Sequence, residues 1–280
     1  MPQLVVAMPV RNGGHHLRRA LRSTLRALPA DAQLVVCDDG SSDSTPQSLG
    51  AFADSRLVIL RNERSMGVSA TLNRIIDETD SQYVARMDAD DVCFPWRFRL
   101  QLRQAQGAAA VFSSVVLMRG MLFKPQAPIR LSTDVLRVSL LMSNPLSHPT
   151  AFLTRAAVET VGGYRDTPAE DYDLWLRLLA HGYKVERFAP PTIAYRIHDG
   201  QVTRSPEWMA KREQDAILRE SYEEEAGENA PWFAQLRRSQ ITSECDQGGM
   251  ERLLQIVGER GSSLSIAERT FLRWQTDRVL

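Results

Sequence analysis

Asp88-Ala89-Asp90-Asp91 places carboxylates two residues apart directly after the apolar run Tyr83 to Met87. Two such groups can reach one hard cation, which takes oxygen ligands. A calcium hand is excluded, because the sixth position of that loop is Cys93 and the twelfth is Arg99. A capping loop ahead of Pro95 would use the same residues, but three crowded acids repel one another unless a cation or donors relieve them. A second acidic cluster is Asp38-Asp39-Gly40-Ser41. A carboxylate there can accept from a base imide or a ribose hydroxyl, and Gly40 lets backbone approach a ligand. The rival reading is an Asx turn and cap before Pro46, and Asp43 is assigned to that alone. The third cluster is Glu170-Asp171 at the start of a helical pattern. Acids suit a first helical turn on dipole grounds, and a carboxylate kept ionised there can also act as a general base. His148 and His198 stand alone in sequence, where a structural histidine is the default. His198 is the better site candidate, in the polar stretch Tyr195 to Gly200.

The elements around these clusters alternate strand and helix. Leu4–Met8, Leu34–Cys37, Leu57–Leu60 and Tyr83–Met87 are short apolar runs that read as buried strands. Between them, Leu17, Leu21, Leu25 and Leu28 recur at helical spacing, Pro46 marks a helix start, and Leu72, Ile75 and Ile76 mark a further helix. That order implies an α/β fold with a mostly parallel sheet and helices on both faces. Ligands bind such sheets at the carboxyl ends of the strands, which is where the clusters at 38–43 and 88–91 fall. Farther on, strands are expected at Ala108–Met118, Ser147–Leu153, Val185–Phe188 and Thr192–Tyr195. Leu131–Met142 is amphipathic, and Glu170–Ala180 is a helix with Leu174, Trp175, Leu178 and Leu179 inward. From about Ser205 the pattern is helical, broken at Gly227-Glu228-Asn229 and at Gly248-Gly249. The expected division is 1–204, with halves 1–106 and 107–204, followed by a helical extension over 205–280.

Among the 280 residues, Lys and Arg (34) balance Asp and Glu (34), so no global field recruits nucleic acid. Arg18, Arg22 and Arg26 share one helix face, which reads as solvated, with anionic lipid as the lesser alternative. Cys37, Cys93 and Cys245 are too few and too far apart for a disulfide framework or a zinc site, which fits a reducing compartment. No signal segment and no apolar run of about 20 residues stands out, so the expected location is the cytoplasm, with contact to the inner membrane face as an option. The chain lacks G-x-G-x-x-G after its first strand, the phosphate-loop pattern and the G-x-S-x-G elbow, which disfavours a dehydrogenase, a P-loop nucleotidase and a serine hydrolase.

Taken together, Met8 to Asn12, Val35 to Asp43, Arg61 to Asn73, Ala85 to Asp91, Asn144 to Thr150, Gly162 to Tyr164 and Glu170 to Leu178 resemble family 2 glycosyltransferases of the GT-A fold. The likeness covers roughly residues 3–200 and is of the bacterial, non-processive type, since Leu272-Arg273-Trp274 lacks the Gln of the processive Gln-X-X-Arg-Trp motif. The resemblance implies an inverting transferase that moves a sugar from a nucleotide-sugar to an acceptor hydroxyl in surface polysaccharide or glycoconjugate synthesis. It further implies that Pro9, Arg11, Asp38, Asp39, Asn73, Arg86, Asp88 and Ala89 bind the donor. Asp90, Asp88 and His198 would hold Mn²⁺ or Mg²⁺, Asp171 with Glu170 would supply the base, and His148 and Trp175 would face the acceptor. The implied donor is a UDP-sugar, with dTDP- or GDP-sugars as alternatives, and the implied acceptor is a carbohydrate or lipid-linked saccharide. Two other readings stay open at this point. A metal-dependent nucleotidyltransferase acting on sugar phosphates would release pyrophosphate, and a non-catalytic nucleotide-sugar-binding module would release nothing.

Overall fold

The computed structural model describes residues 2–198, 205–233, 255–256 and 264–279. Asp199, Gly200, Cys245 and the Gly248-Gly249 break named above lie outside them. The first strands are β1 (Leu4–Val10), β2 (Ala32–Asp39), β3 (Leu57–Asn62) and β4 (Tyr83–Arg86). They pair in parallel in the order β3-β2-β1-β4. Their crossovers contain α1 (Leu17–Ala27), α2 (Thr45–Gly50) and α3 (Val68–Asp77).

Side chains alternate across each strand, so β1 feeds two separate cores. Leu4, Val6 and Met8 pack with Leu17, Leu21 and Leu25 of α1 on one face. Val5 and Ala7 pack with Leu72 and Ile75 of α3 on the other. Each fully buried Leu or Val contributes about 1.5–3 kcal/mol relative to exposure. The opposite face of α1 leaves Arg18, Arg22 and Arg26 exposed, as a solvated face should.

Beyond β4 the sheet becomes mixed. It takes in β5 (Val92–Cys93), β6 (Ala110–Arg119), β7 (Leu122–Pro125), β8 (Phe152–Thr154) and β9 (Val185–Arg196). The order continues β4-β8-β6-β9-β5, with β7 hairpinned onto β6. The β6–β9 ladder is parallel, whereas β8, β5 and β7 run antiparallel to their neighbours. Two expectations change here. The separate strands at Val185–Phe188 and Thr192–Tyr195 are one strand, whose register shifts around Ser114, opposite Pro191. Proline offers no backbone N–H, so the ladder slips there without ending. The expected strand from Ser147 begins instead as a 3-10 turn, His148–Thr150, around Pro149.

Helices α4 (Arg97–Gln104), α5 (Thr133–Met142), α6 (Arg155–Thr160) and α7 (Glu170–Ala180) complete this part. After it come α8 (Pro206–Gln214), α9 (Ala216–Ala226) and α10 (Ile266–Val279). Ser205 and Asp215 cap α8 and α9 by accepting from Trp208 N and Leu218 N. Leu218 and Tyr222 of α9 and Phe271 and Leu272 of α10 join the core built on α5 and α7. Asp173 of α7, fully buried, accepts from Arg177 Nη2 at 2.7 Å and from Ser221 Oγ of α9 at 2.7 Å, and it pairs with Arg165. Among the described residues, no helix is long and apolar enough to cross a membrane.

Candidate active site

The carboxyl ends of β1 and β2 meet at two stitched loops. Asn12 N donates to Ser41 Oγ at 2.8 Å, Gly13 N to Thr45 Oγ1 at 2.8 Å and Gly14 N to Asp43 Oδ2 at 3.2 Å. Asn12 adopts φ 51°, a left-handed conformation that Asn tolerates better than most residues. Asp43 therefore does more than cap its own turn, because it also ties the first loop down. Pro9 is half-buried and Arg11 exposed at this rim, open to a ligand.

Asp38 and Asp39 already have internal partners. Asp38 is 1% exposed, accepts from Ser41 N at 2.9 Å and lies 3.5 Å from Arg61 Nε. The carboxylate is buried and shapes the turn through Oδ1, while Oδ2 has no hydrogen-bond donor among the described residues. Asp39 accepts from Asn62 Nδ2 at 2.6 Å, Met66 N at 2.8 Å, Ser65 Oγ at 2.8 Å and Gly67 N at 3.1 Å. Burial works against its charge, but these donors hold its pKa below the ordinary value. A base or ribose reaching Asp39 would share an oxygen that two donors already use. Gly40, at φ +67°, has a different reason from the expected one: a Cβ there would meet the Arg64 and Ser65 backbone at 2.8 Å. The chain's own loop, rather than a ligand, makes the close approach.

At the end of β4 the acids gather around cations. Arg86 is buried and ion-paired with Asp88. Burial opposes its charge, yet Asp88, Tyr164 and Glu170 leave its pKa raised. In the ligand-free fold Arg86 is an internal counter-charge to these acids, and its Nε has no hydrogen-bond acceptor among the described residues. Ala89 likewise packs against the core on the α1 side. Asp90 Oδ2 stands 3.4 Å from His198 Nε2. Burial first, and then the Asp88 charge, raise the Asp90 pKa, with His198 opposing. Asp91, quoted in the motif but given no role, is 1% exposed and accepts from Arg196 N at 2.7 Å. Its Oδ2 is buried without a hydrogen-bond donor among the described residues, and burial with Asp88 and Asp90 pushes its pKa well up. Crowded, partly unsatisfied carboxylates of this kind favour a bound cation. Among the described residues, no three His, Cys, Asp or Glu side chains converge closely enough to hold one alone.

The third cluster lies across a cavity of about 760 Å³. Asp88 lines one part of it; Glu170 and Asp171, at the first turn of α7, line another. Asn144 Nδ2 donates to Asp171 Oδ2 at 3.3 Å. Burial and the Glu170 charge raise the Asp171 pKa, against the pull of His148 and Arg86. His148 lines the cavity, but Nδ1 lies 3.5 Å from Glu170 Oε1 and Nε2 lies 3.2 Å from the Tyr164 hydroxyl. His148 thus lies between Glu170 and Tyr164 while still lining the cavity. Trp175 is fully buried, edge-on to Phe112 and His148, and does not line the cavity. Its expected acceptor contact is corrected by its inward place on α7. Asn73 is half-buried and bonded within the protein. Its amide donates to Tyr164 O at 2.7 Å and accepts from Tyr164 N at 2.9 Å, clamping α3 to the Gly162-Gly163 turn.

Tyr195, Trp208 and Arg212 also line the cavity, and none was singled out from sequence. The Arg212 guanidinium lies 5.3 Å from the Tyr172 ring centre and 5.7 Å from that of Trp208. No motif spans the distance from Arg212 to Asp171, so only the folding of α8 over α7 could reveal it. Asn144 sits in a quoted motif, and its signal was available but carried no role.

A sequence model described as Glycosyl transferase family 2 matches residues 5–159. The chain is 26% identical over 178 residues to the UDP-Glc:alpha-D-GlcNAc-diphosphoundecaprenol beta-1,3-glucosyltransferase WfgD of Escherichia coli, covering 62% of this chain and 68% of that protein. It is 27% identical over 191 residues to the amylovoran biosynthesis glycosyltransferase AmsE of Erwinia amylovora, covering 65% and 71%. Among solved structures, S. aureus TarS 1–349 in complex with UDP-GlcNAc superposes with a TM-score of 0.63 at 15% identity, over 99% of this chain and 88% of that one. The shared fold is of the GT-A type.

Proposed function

The chain belongs to glycosyl transferase family 2, and on that premise we propose an inverting, metal-assisted transfer from a nucleotide-sugar, UDP-linked as first choice, to a lipid-linked saccharide in surface-polysaccharide assembly. The observation that carries the reading is a cavity lined by both Asp88 and the Glu170–Asp171 pair. A donor over the strand ends and an acceptor beside α7 would meet between those acids. The likeness to WfgD, with a UDP-glucose donor and a diphosphoundecaprenol acceptor, and to AmsE, in amylovoran biosynthesis, supports the substrate class.

In this scheme the nucleotide lies over the rim of Pro9 and Arg11 and the turn held by Asp39. Asp90 and His198, helped by Asp88, are the residues that would hold Mn²⁺ or Mg²⁺, with phosphate oxygens completing the set. When bound, such an ion offsets the negative charge that builds on the departing diphosphate. Asp171 takes the proton from the acceptor hydroxyl as its oxygen bonds to the anomeric carbon and the diphosphate leaves with the bonding electrons. A raised pKa makes Asp171 a stronger base than a solvated carboxylate. One displacement inverts the anomeric centre, so an α-linked donor yields a β-linked product. Arg212, with Trp208 and Tyr172, supplies a cationic and aromatic wall for the acceptor.

The test is a panel of UDP-, dTDP- and GDP-sugars with Mn²⁺ and a lipid-diphosphate-linked sugar acceptor, with nucleoside diphosphate release and product configuration measured by NMR. A β-linked product from an α-donor is expected. Retained configuration would overturn the single displacement, and pyrophosphate release would point to a nucleotidyltransferase.

A further inference from the structure

The hairpin joining β6 to β7 turns at Gly120, φ +59°, and carries Met121, Leu122 and Phe123 at 93%, 76% and 57% exposure. Hairpin tips are ordinarily built from Asn, Asp and Gly, and three successive large apolar side chains in water are costly unless something covers them. Every residue of β7 is exposed. Neighbouring side chains on a strand point to opposite faces, so this tip is apolar on both faces. A protein partner or a second copy pressed against one face would leave the other wet. An apolar liquid that surrounds the tip satisfies both.

Charge and position point the same way. Arg119 and Lys124 stand directly behind the apolar residues, paired in register with Leu122 and Leu117. Basic groups behind an apolar wedge suit the headgroup zone of an anionic bilayer, where long side chains keep their charge in water. The strand that carries the tip also walls the cavity through Val115 and Leu117, and Gln126 lines it from just beyond the returning strand. From Leu117 to Arg119, where the strand gives way to the turn, is two residues, about 7 Å of strand. The tip and the cavity are thus parts of one hairpin.

We infer that the 119–124 hairpin is a membrane-docking wedge: Met121, Leu122 and Phe123 enter the interface of an anionic bilayer, with Arg119 and Lys124 at the headgroups, and hold the cavity at the surface that presents the acceptor. The role of the wedge in catalysis rests on the lipid-linked acceptor proposed above; its binding to lipid does not.

Flotation of the full chain with vesicles of phosphatidylethanolamine and phosphatidylglycerol tests the wedge without any substrate. The wild type is expected to float with these vesicles, less so at high salt. A Met121→Ser, Leu122→Ser, Phe123→Ser triple variant is expected to lose binding more than tenfold, and Lys124→Glu to lose part of it. With a water-soluble acceptor the triple variant should turn over like the wild type, and with the acceptor embedded in vesicles it should slow severalfold. Equal flotation of wild type and triple variant overturns the proposal. So does loss of a dimer in sedimentation velocity with no change in flotation, which would assign the tip to a second copy. If the wild type floats and the triple variant does not, yet no lipid-linked sugar is ever elongated, the acceptor reading fails while the wedge stands.

Discussion

Asn144 donates to Asp171 across 3.3 Å and thereby joins the loop after α5 to the first turn of α7. The carboxylate proposed as base is aimed by a residue 27 positions earlier in the chain. A hydrogen bond to a charged group is worth about 1.5–3 kcal/mol, or roughly ten- to a hundredfold in rate. Asn144→Ala should therefore lower kcat by about tenfold or more, and Asp171→Asn by about 10²–10⁴-fold. Steady-state kinetics with circular dichroism to verify folding provides the check. Near-wild-type turnover by a folded Asp171→Asn would sink the base assignment.

The pH profile follows from the same carboxylate. The Asp171 pKa is raised, so the base is protonated and idle over a wider acid range than a solvated Asp. Activity should rise with pH through an acid limb lying above the usual carboxylate value. The Glu170 charge contributes to the raising, so Glu170→Gln should move that limb to lower pH. A limb that stays in place in kcat/KM profiles would contradict the coupling.

Asp90→Asn should abolish most stimulation by Mn²⁺ or Mg²⁺, and a chelator should silence the wild type reversibly. The physical reason is the crowding of Asp88, Asp90 and Asp91, which a bound cation would relieve. Activity against divalent-ion titrations for both proteins would show it, and full activity of the wild type in excess chelator would refute it.

Arg212→Ala should raise the acceptor KM by about tenfold while leaving the donor KM within about twofold, because the guanidinium lines the cavity beside Tyr172 and Trp208. Bisubstrate kinetics would separate the two. An effect confined to the donor would place Arg212 on the wrong side of the reaction.

Asp173→Ala should destabilise the fold by about 3–5 kcal/mol, since it strands buried Arg177 and unties α9. Burial opposes the Asp173 charge, but Arg165, Arg177 and Ser221 lower its pKa from the ordinary 3.8. A depressed carboxylate contributes stability that is present above the unfolded value and lost as pH falls below it toward the folded value. Urea unfolding from pH 7 down to pH 3 should show that loss in the wild type and a flatter profile in the variant.

The sequence alone determined the parallel βαβ beginning, because its apolar runs and helical spacings are local patterns with periods that burial imposes. It also marked three acidic clusters at element ends and, through ordered motifs, the family that the match over 5–159 bears out. Which partners surround each acid was visible only in the fold, because those partners are distant in sequence. Asp38 and Asp39 turned inward because Ser41, Asn62, Ser65 and Gly67 donate to them. Trp175 is buried on α7 and Asn73 is bonded to Tyr164 beside the Gly162-Gly163 turn, neither of which local pattern shows. Arg212 and the exposed 121–123 tip had no sequence signal at all, since a cavity wall and an uncovered surface exist only after chain segments far apart pack together. Local pattern encodes which residues seek burial or a strand end; tertiary packing decides which side chains keep a free face for a ligand.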